Sequence, residues 1–159
     1  MNFILSLLLM LSGLMHISNL SVDSKFDLSS DNEAAVEETV TEFFNAMRES
    51  DGDGMEAFLT PDATLLTVVL NEEGEAMLRQ TEIESFMNSV NQSDAGALDE
   101  QLTSFTAHVD GNLSTAWMDY SFYYNGEFSH CGVNTMNLIQ TESGWKIFSI
   151  VDTRRQEGC

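Results

Sequence analysis

The stretch "STAWMDYSFYYNGEFSHCGVNTMNLIQTESGWKIFSIVDTRR", Ser114 to Arg155, decides the fold. It holds three runs rich in aromatic and β-branched residues, separated by Asn125-Gly126 and by "TESG" at 141–144. Asn-Gly is a strong hairpin signal, because both residues accept the positive φ that a tight turn demands. A further hairpin precedes these runs, since Asp110-Gly111-Asn112 joins "EQLTSFTAHVD" (100–110) to the first of them. The C-terminal third therefore reads as a four-stranded antiparallel meander. Alternation splits "TAWMDYSFYYN" into two faces. Ala116, Met118, Tyr120, Phe122 and Tyr124 lie on one, and Trp117, Asp119, Ser121 and Tyr123 on the other.

The first of these faces must be covered, and the cover lies upstream. In "DNEAAVEETVTEFFNAMRES" (31–50), Ala35, Val36, Val40, Phe43, Phe44 and Met47 form one helical stripe with acids opposite. Asp31 is the expected N-cap, and "DGDG" (51–54) ends the helix. Met55 to Leu59 makes one or two turns that Pro61-Asp62 breaks, and Leu65 to Leu70 is a short strand followed by a turn and an extended return in "NEEGEAMLRQ". "TEIESFMNSVNQ" (81–92) is a second helix burying Ile83, Phe86, Met87 and Val90, with Thr81 and Glu84 in capping-box spacing. "SDAGALDE" (93–100) reads as a loop. The result is an α+β domain in which a strongly curved antiparallel sheet wraps a long N-terminal helix. Such a cone has an open end, and the open end is a pocket.

Composition narrows the partners. Twenty-six acidic side chains face six basic ones, a formal charge of −20. That surface repels phosphate backbones and anionic lipid, so the reading is no nucleic acid and no membrane-surface partner. The first charged residue is Asp23, and Phe3 to Ile17 is almost wholly apolar. This is too short for a comfortable membrane span and fits a secretory signal. The expected organisation is a signal peptide over 1–22, a linker over 23–31, one domain over 32–155 and a tail over 156–159. The expected localisation is export, periplasmic or secreted, with no stable membrane anchor after processing.

The helix "VEETVTEFFNAM", the segment "DGDGMEAFLTPDATLL" and the terminal "SGWKIFSIVDT" together resemble the nuclear transport factor 2-like superfamily, which includes SnoaL-like cyclases and ketosteroid isomerases. The resemblance spans Glu33 to Arg155. More narrowly, "FSHCGVNTMNLIQTESGWKIFSIVDTRR" looks like the lumazine-binding-like group. The resemblance implies a cone-shaped, cystatin-like fold and a homodimer formed through the outer face of the sheet; the pocket of such a cone is read as holding a small apolar or aromatic ligand. It also permits one test. In ketosteroid isomerases the general-base aspartate follows a "DDAT"-like segment, and alignment on Asp62-Ala63-Thr64 puts the base at Thr67, which cannot act as one near neutral pH.

The expected ligand pocket is Tyr120, Phe122, Tyr124, His130 and Asn134, with Asp152 and Arg154 at its rim. His130 and Asp152 are the catalytic candidates if the protein is a cofactor-independent lyase or isomerase; the first reading is a non-catalytic binding module that needs no cofactor. Pairing Gln140 with Trp145 sets Cys131 opposite Arg154 and throws Asp152 and Arg154 onto the face away from His130, unless the register differs. Cys159 then reaches back to Cys131, and an exported chain with two cysteines pairs them. His130 and Cys131 are strand neighbours that point to opposite faces, which argues against a shared metal or a Cys–His nucleophile. "ESDGDG" (49–54) has the look of a calcium loop, but Thr60 stands where the bidentate Glu is needed. The expectation is no metal.

Overall fold

A computed structural model describes residues 24–159, with side chains described from residue 30 onward. The apolar segment read as a signal peptide lies outside the described residues. Helix α1 spans Ser24–Arg48, α2 Gly52–Met55, and a single 3-10 turn Glu56–Phe58 follows. Strand β1 is Leu59–Leu70, β2 Ala76–Thr81, and α3 Ile83–Asn91. The remaining strands are β3 Leu98–Leu102, β4 Thr106–Asp110, β5 Leu113–Tyr124, β6 Glu127–Thr141 and β7 Gly144–Thr153. The seven strands of the described residues form one sheet in the order β2-β1-β7-β6-β5-β3, with β4 also pairing β5. The sheet is curved and unclosed. Every pairing is antiparallel except β1 with β7.

Helix α1 buries Val36, Val40, Phe43, Phe44 and Met47 against the sheet's concave face. It starts at Ser24, so most of the stretch read as a linker is helical and Asp31 lies inside the helix. Its end is closed by Ser50 at φ 63°, with Asp51 N–H donating to the Ala46 carbonyl at 2.9 Å and Ser50 N–H to that of Met47 at 3.1 Å. This is a left-handed C-terminal closure made on a serine rather than a glycine. Gly52 is required for contact: a Cβ there would stand 2.2 Å from the Met87 carbonyl oxygen of α3.

Several boundaries differ from the sequence reading. Thr81 ends β2 and does not cap α3; Glu82 holds the N-cap position without a side-chain bond. The Leu65–Leu70 strand extends back to Leu59, because β7 offers it a parallel partner. The stretch 100–110 is two strands, since Thr103 N–H donates to the Asp119 carbonyl at 2.8 Å and the Ser104 hydroxyl donates to the Asp119 carboxylate at 2.6 Å. These bonds bend the chain between β3 and β4, and the first residues of β3 come from the stretch read as a loop.

The decisive difference is a bulge. β6 and β7 pair Gln140 with Trp145 as expected, but the register shifts between Asn137 and Leu138 and leaves Phe148 without an opposite residue. Beyond it Asn134 faces Asp152, and Cys131 faces Arg155 rather than Arg154. A one-residue slip turns each later side chain to the other face. Asp152 and Arg154 are therefore on the concave side, with Asn134 and His130.

Candidate functional site

The concave face and α1 enclose a cavity of about 340 Å3. Phe43, Leu98, Phe122 and Met136 supply apolar wall, and a polar group is gathered from four strands: Glu100 on β3, Tyr120 on β5, His130 and Asn134 on β6, and Asp152 and Arg154 on β7. Of the expected pocket residues, Tyr120, Phe122, His130 and Asn134 line this cavity. Tyr124 does not: it is the last residue of β5 and is 54% exposed, past the reach of the helical cover. Of the expected rim pair, Arg154 is at the mouth with a side chain 49% exposed, whereas Asp152 at 6% is part of the buried wall.

Tyr120 crosses Gly132, its partner on β6. Its hydroxyl donates to the Thr153 carbonyl at 3.0 Å. A Cβ on Gly132 would lie 1.8 Å from that carbonyl oxygen and 2.8 Å from the tyrosine ring, so the absent side chain is filled by Tyr120 and gives His130 no extra room. Burial, reinforced by the carboxylates of Glu100 and Asp152, pushes the Tyr120 pKa up. The phenol is a fixed, protonated strut.

His130 stacks edge-on to Tyr120 and tilted against Phe122, with ring centroids 5.7 and 5.1 Å away. Its Nδ1 lies 3.1 Å from the Ser129 hydroxyl. Burial, followed by the Arg154 charge, lowers its pKa, and Asp152 opposes them only in part. The balance favours the neutral imidazole. Asp152 shares the cavity with it but bonds Arg154 Nε at 2.7 Å through Oδ2, while Asp152 Oδ1 is buried with no hydrogen-bond partner among the described residues.

Glu100 is the residue the sequence reading missed. It sits on β3 opposite Phe122, and its Oε1 accepts from Asn134 Nδ2 at 2.6 Å. Burial pushes its pKa up to about 8; the Asn134 bond counters this, Asp152 adds to it and Arg154 lowers it. At neutral pH the carboxyl keeps its proton and can donate through its second oxygen. Burial also works against the Arg154 charge, but the Asp152 bond and the surrounding acidic groups outweigh it and hold that pKa above its ordinary value.

Elsewhere the candidate groupings dissolve. Asp51 caps α2 by accepting from Gly54 N–H at 2.8 Å, and Asp53 accepts from Asn91 Nδ2 at 2.7 Å, so the carboxylates of "DGDG" hold helix ends. Among the described residues no three His, Cys, Asp or Glu side chains converge as a metal would require. His108 is exposed on β4. A groove of about 810 Å3 beside β1 and α3 is edged by Glu56, Asp62, Glu82 and Glu84 without a basic or imidazole group. Thr67, where the isomerase base would align, is buried next to Asp152 in the β1–β7 pairing. Cys131 and Cys159 form a disulfide with Cα atoms 5.7 Å apart, which ties the tail to β6.

A long helix in a curved sheet, with a lined cavity between them, is the arrangement of a known family. The SnoaL-like domain matches residues 36–151. The chain belongs to the SnoaL-like family. No curated protein matches it. Among solved structures, an NTF2-like protein with a cystatin-like fold from Novosphingobium aromaticivorans is similar, at TM-score 0.63 and 13% identity over 92% of this chain and 94% of that one. A "putative dehydratase from the NTF2-like family" of Streptomyces avermitilis has TM-score 0.61 and 18% identity over 79% and 97%. The S. rosetta CaMKII hub has TM-score 0.58 and 15% identity over 77% and 96%. At these identities the likeness speaks for the fold alone.

Proposed function

We propose that this SnoaL-like chain is an exported small-molecule-binding protein whose ligand sits in the cone. The observation that carries the reading is a 340 Å3 cavity with apolar walls on which Asp152 Oδ1 remains buried and unpaired. Interiors pack densely and pair their buried polar atoms, so this combination is the profile of a ligand site rather than of a filled core. The apolar body of the ligand rests on Phe43, Leu98 and Phe122, and its polar groups meet Glu100, His130 and Asp152. The disulfide and the apolar start of the chain support export. Exposed Leu113, Trp117 and Ile139 on the convex face support a homodimer there. The test is a titration with N-phenyl-1-naphthylamine, a neutral probe that fluoresces in apolar surroundings. One probe per chain should bind, and Leu98→Trp, which fills the cavity, should abolish binding while the variant stays folded. Equal binding by both proteins would place the probe elsewhere and remove the basis of the proposal.

One observation favours a second, catalytic reading. Burial raises the Glu100 pKa to about 8 and lowers that of His130, and both face the same cavity. Two groups whose surroundings push their pKa values apart in this way are poised as acid and base. In a cofactor-independent lyase or isomerase, His130 takes a proton from carbon and Glu100 gives one to oxygen. No hydrogen bond joins His130 to a carboxylate among the described residues, so the base would act without an orienting acid.

A further inference from the structure

The basic residues of this chain are few, and their placement is uneven. Of six Lys and Arg against twenty-six Asp and Glu, Arg79 and Arg154 both stand on the cavity. They approach it from separate strands. Arg79 on β2 pairs Thr67 on β1, Thr67 pairs Asp152 on β7, and Asp152 pairs Asn134 on β6. Residues in one cross-strand row share a face, so Arg79 belongs to the same concave row as the buried aspartate. Arg154 is two residues further along β7.

The two guanidinium groups are differently engaged. Arg154 is held by Asp152 through Nε alone, which fixes the plane and leaves both terminal NH2 groups for an end-on, two-point partner. Arg79 is exposed and makes no ion pair or hydrogen bond among the described residues. The remaining polar wall does not neutralise the pair: Asp152 offsets one positive charge, and Glu100 carries its proton at neutral pH. The cavity is thus a locally cationic mouth above an apolar floor, in a protein whose net charge is −20.

We propose that the cavity selects an organic anion, a carboxylic or sulfonic acid with an apolar body, whose acid group is gripped end-on by Arg154 and met by Arg79 at the mouth. This rests on the reading that the cone binds a small molecule. The apolar body then lies on the Leu98–Phe122 wall, and the acid group faces outward where water can reach it. A neutral molecule of the same shape fills the same floor and leaves both arginines solvated.

The experiment compares N-phenyl-1-naphthylamine with 8-anilinonaphthalene-1-sulfonate, which have the same ring skeleton and differ by the sulfonate. Titrations run on the full chain in 0.15 M salt, where screening over about 8 Å mutes the distant acidic surface. The sulfonate should bind at least about tenfold more tightly than the neutral probe, the scale of one charge-assisted, two-point contact. Arg79→Gln should lower that preference, read as the ratio of the two affinities within the same variant. Arg155→Gln makes the same charge change off the cavity and should change neither. Arg154→Lys removes the planar fork and should also reduce the preference; Arg79→Gln decides the matter if that variant folds poorly. Equal affinity for the two probes, or equal losses in Arg79→Gln and Arg155→Gln, would overturn anion selection while binding of the neutral probe upholds the cavity. Binding of neither probe overturns both.

Discussion

Replacing Glu100 by Gln separates the titration of this side chain from everything else in the cavity. The amide keeps the oxygen that accepts from Asn134 Nδ2 at 2.6 Å and removes the ionisable proton. In the folded protein the Glu100 pKa is pushed from 4.5 to about 8, chiefly by burial. A folded-state pKa above the unfolded value means that the native state holds the proton longer. Its contribution is therefore fully present below pH 4.5 and is lost as pH rises through 8. The shift of about 3.5 units corresponds to at most about 5 kcal/mol at 1.36 kcal/mol per unit. Partial exposure of the residue to the cavity reduces this to about 2–4 kcal/mol through solvent screening. Urea unfolding of wild type and Glu100→Gln at half-unit steps from pH 4.5 to 8.5 measures it. The low His130 pKa has the opposite sign, stabilising above its unfolded value near 6.5, but it is common to both proteins and cancels in the difference. Wild type should fall progressively below the variant as pH rises. Parallel curves would refute the burial argument and with it the neutral carboxyl on the cavity wall.

Gly132→Ala should cost about 2–4 kcal/mol, because its Cβ would meet the Thr153 carbonyl oxygen at 1.8 Å in a packed ladder; a thermal midpoint near wild type would contradict the Tyr120 crossing. Cys159→Ser should lose up to about 3.5 kcal/mol, the chain-entropy value for cysteines 28 positions apart, and the oxidised wild type should titrate with no free thiol in denaturant. Trp117→Glu, on the convex face at a residue 55% exposed, should leave stability within about 0.5 kcal/mol and convert a dimer to a monomer in sedimentation. A monomeric wild type would end that proposal.

The parts of this fold that were legible in the sequence were those whose signals are local. The Asn125-Gly126 turn, with φ of 52° and 79°, needs no tertiary help, and the α1 stripe from Val36 to Met47 buries as its spacing requires. The pairing of the two cysteines followed from chain reach. What failed was whatever depended on register. Trp145 and Ile147 alternate inward, but the next inward residue is Ile150, and the skipped step at Phe148-Ser149 is the bulge that delivers Asp152 and Arg154 to the cavity. The signal was present as a break in the apolar alternation of "GWKIFSIVD". Glu100 had no such signal. In "ALDEQL" an acid reads as solvated, and only the pairing of β3 with β5 shows that it faces Asn134. The parallel pairing of β1 with β7 joins segments some eighty residues apart, which no local pattern specifies.

The central claim is that a small apolar molecule enters this cone, and the methionine methyl groups report on it directly. Met47 and Met136 line the cavity, Met55 and Met118 are buried away from it, and Met77 is half-exposed on β2. Protein labelled with 13C at the methionine methyls is titrated with N-phenyl-1-naphthylamine and followed by two-dimensional NMR. The Met47 and Met136 resonances should move together and saturate at one equivalent, with the Met77 resonance unmoved. Movement of Met77 alone, or no movement of Met47 and Met136 at saturating probe, would contradict the account.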